Sequence, residues 1–168
     1  ATAAVYGDNA NQIAVATIMK IWALQIMADT WGDIPYSEAF KADDPVAPIP
    51  TPKYDKLQDI YASFLVDLKA AVDMINDGSG FTSGDVVYGG DMTLWKKFGN
   101  SLRLRVAMRM SNFDNYAAAN AIINEEGIEF MTSNADNAAF EYVGGGSTNS
   151  PLYDAWWTSA RNDFTVAK

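Results

Sequence analysis

The side chains able to do chemistry in this chain are carboxylates, guanidinium groups and aromatic rings. Its 168 residues include 21 Asp and Glu and 12 Lys and Arg, with neither His nor Cys. Composition therefore excludes Cys nucleophiles, His-based triads, thiolate zinc sites and disulfides. A glycosidase-like carboxylate pair is defined by separation in space, and the spacing singles out no two of the 21. Most Asp and Glu are solvated surface groups, so no catalytic residue is assigned. No phosphate-cradling Gly-x-x-x-x-Gly-Lys-Ser/Thr run is present. Asp77, Ser79 and Asp85 could offer oxygens to calcium, but their spacing fits no calcium loop and the closing bidentate Glu is missing. An ordinary turn is the favoured reading, with no metal and no cofactor expected. Arg103, Arg105 and Arg109 could grip an anion. In a chain of net charge −9, ion pairs with its own carboxylates are favoured instead.

The aromatic rings remain. Flat Trp and Tyr faces suit the C–H surfaces of sugars, with polar groups at the rim. Tyr153, Trp156 and Trp157 follow a run of three glycines in an irregular region, and Tyr88 ends another Gly-rich loop. These four are the candidate ligand-binding residues. Adjacent side chains point in different directions, so either Trp156 or Trp157, but not both, is expected in solvent. Trp22, Tyr61, Phe64 and Trp95 sit at helical core spacing and read as packing. Trp31, Gly32, Asp33, Pro35 and Tyr36 form a sharp turn, since Gly32 can take a positive φ and Pro35 cannot continue a helix. Trp31, Tyr36 and Phe40 are expected to pack this turn down, in a structural role.

Helices must position these groups. Asp8 or Asn9 caps a helix over about 11–30 that is apolar nearly all round, with Thr17, Lys20 and Gln25 as its polar strip. Such a helix is expected in the middle of an array. Its stretch Val15 to Ala28 is too short to span a bilayer. Residues 41–52 form an extended Pro-rich linker. Thr51 and Pro52 then open a second helix, with Tyr54, Leu57, Tyr61, Phe64 and Leu68 on its apolar face and Gly78 past its end. Asp91 caps a third, through Trp95, Phe98, Leu102 and Met110. Asp114 caps a fourth, about 115–126, stopped by Gly127. A short strand is expected over 138–143 and a helical turn over 152–157. Trp95-x-x-Phe98-Gly99-x-x-Leu102 matches the first-helix pattern of tetratricopeptide units, where Gly admits a close neighbour. The fourth helix would be that neighbour, with Ala118 and Ile122 inward and Tyr116, Ala119 and Ile123 against Trp95, Phe98 and Leu102. The fold class is all-α: helical hairpins of tetratricopeptide-like type with long irregular loops, in one domain over 1–168.

Two blocks carry a family resemblance. Asp29-Thr30-Trp31-Gly32-Asp33-Ile34-Pro35-Tyr36-Ser37-Glu38-Ala39 and Tyr88-Gly89-Gly90-Asp91 followed by Trp95-Lys96-Lys97-Phe98-Gly99-Asn100-Ser101-Leu102-Arg103-Leu104-Arg105 resemble the signatures of SusD-like (SusD/RagB) proteins. Asn149-Ser150-Pro151 and Arg161-Asn162-Asp163 loosely resemble later family positions. The resemblance implies a non-catalytic, lipid-anchored outer-membrane protein at the cell surface that captures oligosaccharide or another nutrient. It implies delivery to a SusC-like, TonB-dependent barrel, and no nucleic acid partner. Family members are several times longer, so the chain reads as an N-terminal fragment whose lipid anchor lies outside these residues. The alternative, from pattern alone, is a tetratricopeptide-type scaffold for protein–protein interaction. Net charge −9 disfavours nucleic acid and anionic membrane surfaces as partners in either case.

Overall fold

A computed structural model describes residues 9–78, 80–81, 83–145 and 148–159. Three long helices dominate it: α1 (Ala10–Trp31), α2 (Leu57–Met74) and α3 (Met92–Arg109). Shorter ones follow, α4 (Ser111–Asp114), α5 (Ala117–Ile123) and α6 (Pro151–Tyr153). The all-α expectation holds, and the described residues contain no strand. Residues 138–143, expected as a strand, are irregular; an extended segment without a neighbour to pair its backbone forms no ladder. The chain forms two compact units, residues 1–138 and 139–168.

In the first unit, Asn9 caps α1 by accepting the Gln12 N–H at 3.2 Å. Gly32 ends the helix at φ 77, its N–H donating to the Ala28 carbonyl at 2.9 Å. By length and composition alone this 22-residue helix could cross a membrane, contrary to the shorter stretch expected. Here its Ala14, Ile18, Ile21 and Ala28 pack into the core. The helix is not central as its all-round apolarity suggested. Trp22, Ile26 and Met27 are partly in solvent, whereas Asn11 and Gln25 are buried. Both amides are satisfied, which is what makes their burial tolerable. Asn11 bonds the backbone of Asn76 and the carbonyl of Gly78, and Gln25 Oε1 accepts two Arg105 N–H groups at 3.0 and 2.6 Å.

The second helix begins at Leu57 rather than Pro52, and Tyr54 is exposed instead of lining its core face. Its cap comes from the signature turn: Asp33 Oδ1 accepts the Leu57 N–H at 2.9 Å. Asp55 pairs with Ile34 in an isolated antiparallel bridge. The Asp55 carboxylate also accepts the N–H groups of Tyr36 and Ser37 at 3.1 and 2.7 Å and the Ser37 hydroxyl at 2.9 Å. These bonds hold the residues before Leu57 extended. The intervening 41–52 is non-helical, as its prolines require.

Asp91 caps α3 through the N–H groups of Thr93 and Leu94. Gly99 is where the three long helices meet. A Cβ there would stand 2.6 Å from Val72 Cγ2 and 3.0 Å from Ile18 Cδ1. Trp95, Leu102 and Val106 complete a core with Ile18, Ile60, Phe64 and Leu68. The close neighbours of α3 at Gly99 are thus α1 and α2, not the helix that follows it. That following helix is broken, because Asn115 and Tyr116 take φ 51 and 66 and Asp114 captures the N–H groups of Tyr116 and Ala118. Ala119 and Ile122 of α5 close a small second cluster with Ala107, while Tyr116 and Ile123 face solvent. Each fully buried Leu, Ile or Phe stabilises the fold by about 1.5–3 kcal/mol, against about 0–1 kcal/mol for an exposed ion pair. The core therefore holds the bundle.

Gly99→Val should overpack the crossing and lower stability by about 1–3 kcal/mol, read from denaturant midpoints; an unchanged midpoint would show that Val72 and Ile18 yield freely. Loop carboxylates set the acid limit. Backbone N–H bonds, from Leu57 to Asp33, Ser37 to Asp55 and Thr132 to Asp136, hold those carboxyls below their ordinary values, and the Arg103 bond does so for Glu125. Folded values below unfolded ones mean stability that is complete above about pH 4. It is lost as pH falls through the lower folded values. Melting temperatures should be flat from pH 7 to 5 and fall steeply below pH 4.

Candidate functional site

The candidate rings Tyr153, Trp156 and Trp157 lie on one short segment of the second unit. Ser150 opens their segment by accepting the Tyr153 N–H at 3.1 Å, with Pro151 at the first helical position. After α6 the backbone widens into a π-helical turn over Asp154–Thr158, closed by the Ser159 N–H donating to the Asp154 carbonyl at 2.8 Å. Trp156 and Trp157 follow Tyr153 by three and four residues on this one segment. The three rings are 51%, 52% and 72% exposed for Tyr153, Trp156 and Trp157. Both tryptophans lie open, which corrects the expectation that one would pack. The sheltered residues of this segment are Asn149, Ser150, Asp154 and Ala155, which give a ring little apolar surface to bury against. Phe140 and Tyr142, in the stretch expected as a strand, form an edge-on pair 4.9 Å apart and are also exposed. Their alternate spacing of aromatics was the signal for them.

Tyr88 belongs to the first unit and is engaged there. Its hydroxyl donates to the Asp136 carbonyl at 2.8 Å, and its ring meets Trp95 edge-on at 5.1 Å. Burial, with Asp136 and Asp85 nearby, pushes its phenol up to about 12. Asp85, read above as part of an ordinary turn rather than a calcium site, accepts the Trp95 indole N–H at 2.7 Å and the backbone N–H groups of Val87, Tyr88 and Gly90. Burial alone would raise its carboxyl, but these four bonds prevail and hold it below the usual carboxylate range. It is the anchor of a turn. Ser79 lies outside the described residues, among which no cluster of metal-ligating side chains occurs.

The signature turn divides. Tyr36 is half-buried, edge-on to Phe64 at 5.0 Å, with its hydroxyl donating to Asp67. Burial and that carboxylate push its phenol up. Ile34 between Asp33 and Pro35 is buried, and Lys20 Nζ stands 5.6 Å from the Tyr36 ring. Trp31 and Phe40, expected to be packed down, are 68% and 74% exposed. Gly32 turns the chain so sharply that the ring before it is left outside. The three arginines are paired internally: Arg103 with Glu125 at 2.8 Å, Arg105 with Gln25, and Arg109 with Asp29 at 3.3 Å. A shallow cleft of about 240 Å³ is lined by Ile75, Asn76, Asp77, Met92, Thr93, Lys96, Gly127 and Glu129. None of the candidate aromatics lies in it.

A family described as "Starch-binding associating with outer membrane" matches residues 1–168. Among solved structures, one described as "chitin-binding protein" is 41% identical with a TM-score of 0.66, over 79% of this chain and 28% of that one. A SusD homologue from Parabacteroides distasonis is 32% identical with a TM-score of 0.76, over 90% of this chain and 30% of that one. A SusD homologue from Bacteroides fragilis is 28% identical with a TM-score of 0.72, over 88% and 32%. The chain thus spans less than a third of the length of each. No curated protein sequence matches it.

Tyr88→Phe removes one part-buried hydrogen bond and should cost about 0.5–1.5 kcal/mol of stability. Binding of any oligosaccharide at the open rings should not change. Calorimetric titration beside thermal melts of the variant would separate the two effects.

Proposed function

This chain belongs to the SusD-like family, and from that membership we propose that it forms part of a non-catalytic glycan-binding protein. That protein would stand at the outer-membrane surface, held by a lipid anchor outside these residues. It would pass oligosaccharide to a TonB-dependent, SusC-like barrel. The observation that carries the reading within the chain is the trio of open rings Tyr153, Trp156 and Trp157. Exposed large aromatics grouped on one short segment mark an interaction surface. Their flat apolar faces match the C–H face of a pyranose, while indole N–H and phenol O–H reach its hydroxyls. The 41% identical structure described as chitin-binding makes chito-oligosaccharides the first ligands to test, with malto-oligosaccharides second.

The carboxylates with a resolved shift serve structure. Those of Asp33, Asp44, Asp55, Asp85, Glu125 and Asp136 are all lowered. Backbone and side-chain donors stabilise each as an anion, which suits turn-tying and ion pairing.

Isothermal titration of the full chain with chitohexaose and maltoheptaose tests the proposal. Binding of either is expected, and Trp156→Ala or Trp157→Ala should weaken it by more than about 1 kcal/mol, as truncation of a central interface aromatic does, with an unchanged melting temperature. Unaltered affinity in both variants would place the ligand elsewhere. Failure of the wild type to bind either sugar, or any member of a glycan array, would overturn the reading.

A further inference from the structure

Beside the exposed rings of the second unit lies a polar hub that the ligand assignment does not use. Asp154 is half-buried, although Tyr153 before it and Trp156 and Trp157 after it are open. Its Oδ1 accepts the Asn149 side-chain amide at 2.9 Å and the Thr158 hydroxyl at 3.1 Å. Asn149 Oδ1 in turn accepts the Gly145 N–H at 3.0 Å. Gly144 and Gly145 stand at φ 76 and 87, where L side chains are rarely found. An unbroken run of hydrogen bonds therefore leads from the glycine turn, through Asn149 and Asp154, to Thr158 at the far end of the aromatic segment.

That segment needs such a tether. Isolated helical pieces this short are marginal in water, and its sheltered residues are Asn149, Ser150, Asp154 and Ala155 rather than a core of large apolar chains. Asp154 is also the sole charged residue among 148–159. Its Oδ1 is taken up by Asn149 and Thr158, and around it the segment offers ring faces, hydroxyls and close-approach glycine backbone. Ring faces with hydroxyls beside them are chemistry that meets a sugar.

We infer that Asp154 is a positioning residue for carbohydrate binding, holding the Gly144–Gly145 turn and the Tyr153, Trp156 and Trp157 rings as one preformed surface. The inference rests on the glycan-binding reading above. A surface ordered before the ligand arrives loses less entropy on binding, and Asp154 supplies that order without touching the sugar.

The test uses the full chain labelled with 5-fluorotryptophan, in which the Trp156 and Trp157 resonances are assigned by substitution. Asp154→Asn keeps an acceptor oxygen for both donors; Asp154→Ala removes it. In Asp154→Ala both ligand-free resonances should shift and narrow toward an averaged position, and chitohexaose should bind about tenfold more weakly. Asp154→Asn should restore both readouts to near wild type. The resonance of Trp95, buried in the first unit, should stay in place throughout and so excludes general unfolding. Unmoved Trp156 and Trp157 resonances in Asp154→Ala would overturn the tether whether or not any sugar binds. Moved resonances with wild-type chitohexaose affinity would overturn the role in binding. A wild type that binds neither chitohexaose nor maltoheptaose nor any member of a glycan array would instead overturn the glycan reading and the binding role together, a result distinct from a failed tether.

Discussion

The first unit depends on the absence of a side chain at Gly99. With Val72 and Ile18 filling the space a Cβ would take, α3 lies against α1 and α2 at once. Trp95, four residues earlier, and Leu102, three later, then fall on the same seam and close it. A larger residue would push α3 outward and open the seam on both sides of the crossing, because a close-packed interior has no spare volume to absorb it. The polar contacts follow from that approach. Arg105 reaches Gln25 across the α1–α3 contact, and Arg103 meets Glu125, which also pairs with Lys69 of α2 at 3.5 Å.

Carboxylates organise what the helices leave loose. Asp33 caps α2, Asp55 gathers the turn at Tyr36 and Ser37, Asp85 gathers the loop before α3, and Asp136 ties Thr132, Ser133 and Lys97. Each meets backbone N–H groups that a long connection would otherwise leave unpaired. An acidic chain of net charge −9 thereby turns part of its charge inward as loop structure, and only the rest serves as solvated surface.

Local chemistry made much of this legible. Asn9, Gly32 and Asp91 mark boundaries through bonds within their own neighbourhoods, whereas α5 ends at Ile123, short of the Gly127 expected to stop it. The start of α2 was not legible, since its capping oxygen comes from Asp33 across a long loop while Thr51 and Pro52 offer a plausible local alternative. Burial of Asn11 and Gln25 was hidden for a related reason: their partners, the backbone of Asn76 and the side chain of Arg105, are remote in sequence. The break at Asn115 and Tyr116 defeats a continuous helical pattern because neither residue is a glycine. In the candidate site the rings were legible from residue type. The Asn149–Asp154 hub was not, because it is defined by where two short polar chains point.

Trp95 differs from the other tryptophans in a way that has an optical consequence. Its ring is 2% exposed and its N–H is bonded to Asp85, whereas the other four indoles are at least 37% exposed. Its emission is expected toward the blue edge of the band, apart from the redder light of wetted indoles. Fluorescence collected at that edge therefore follows a single event, the entry of water beneath the three-helix crossing, while light from the red side reports on the surface.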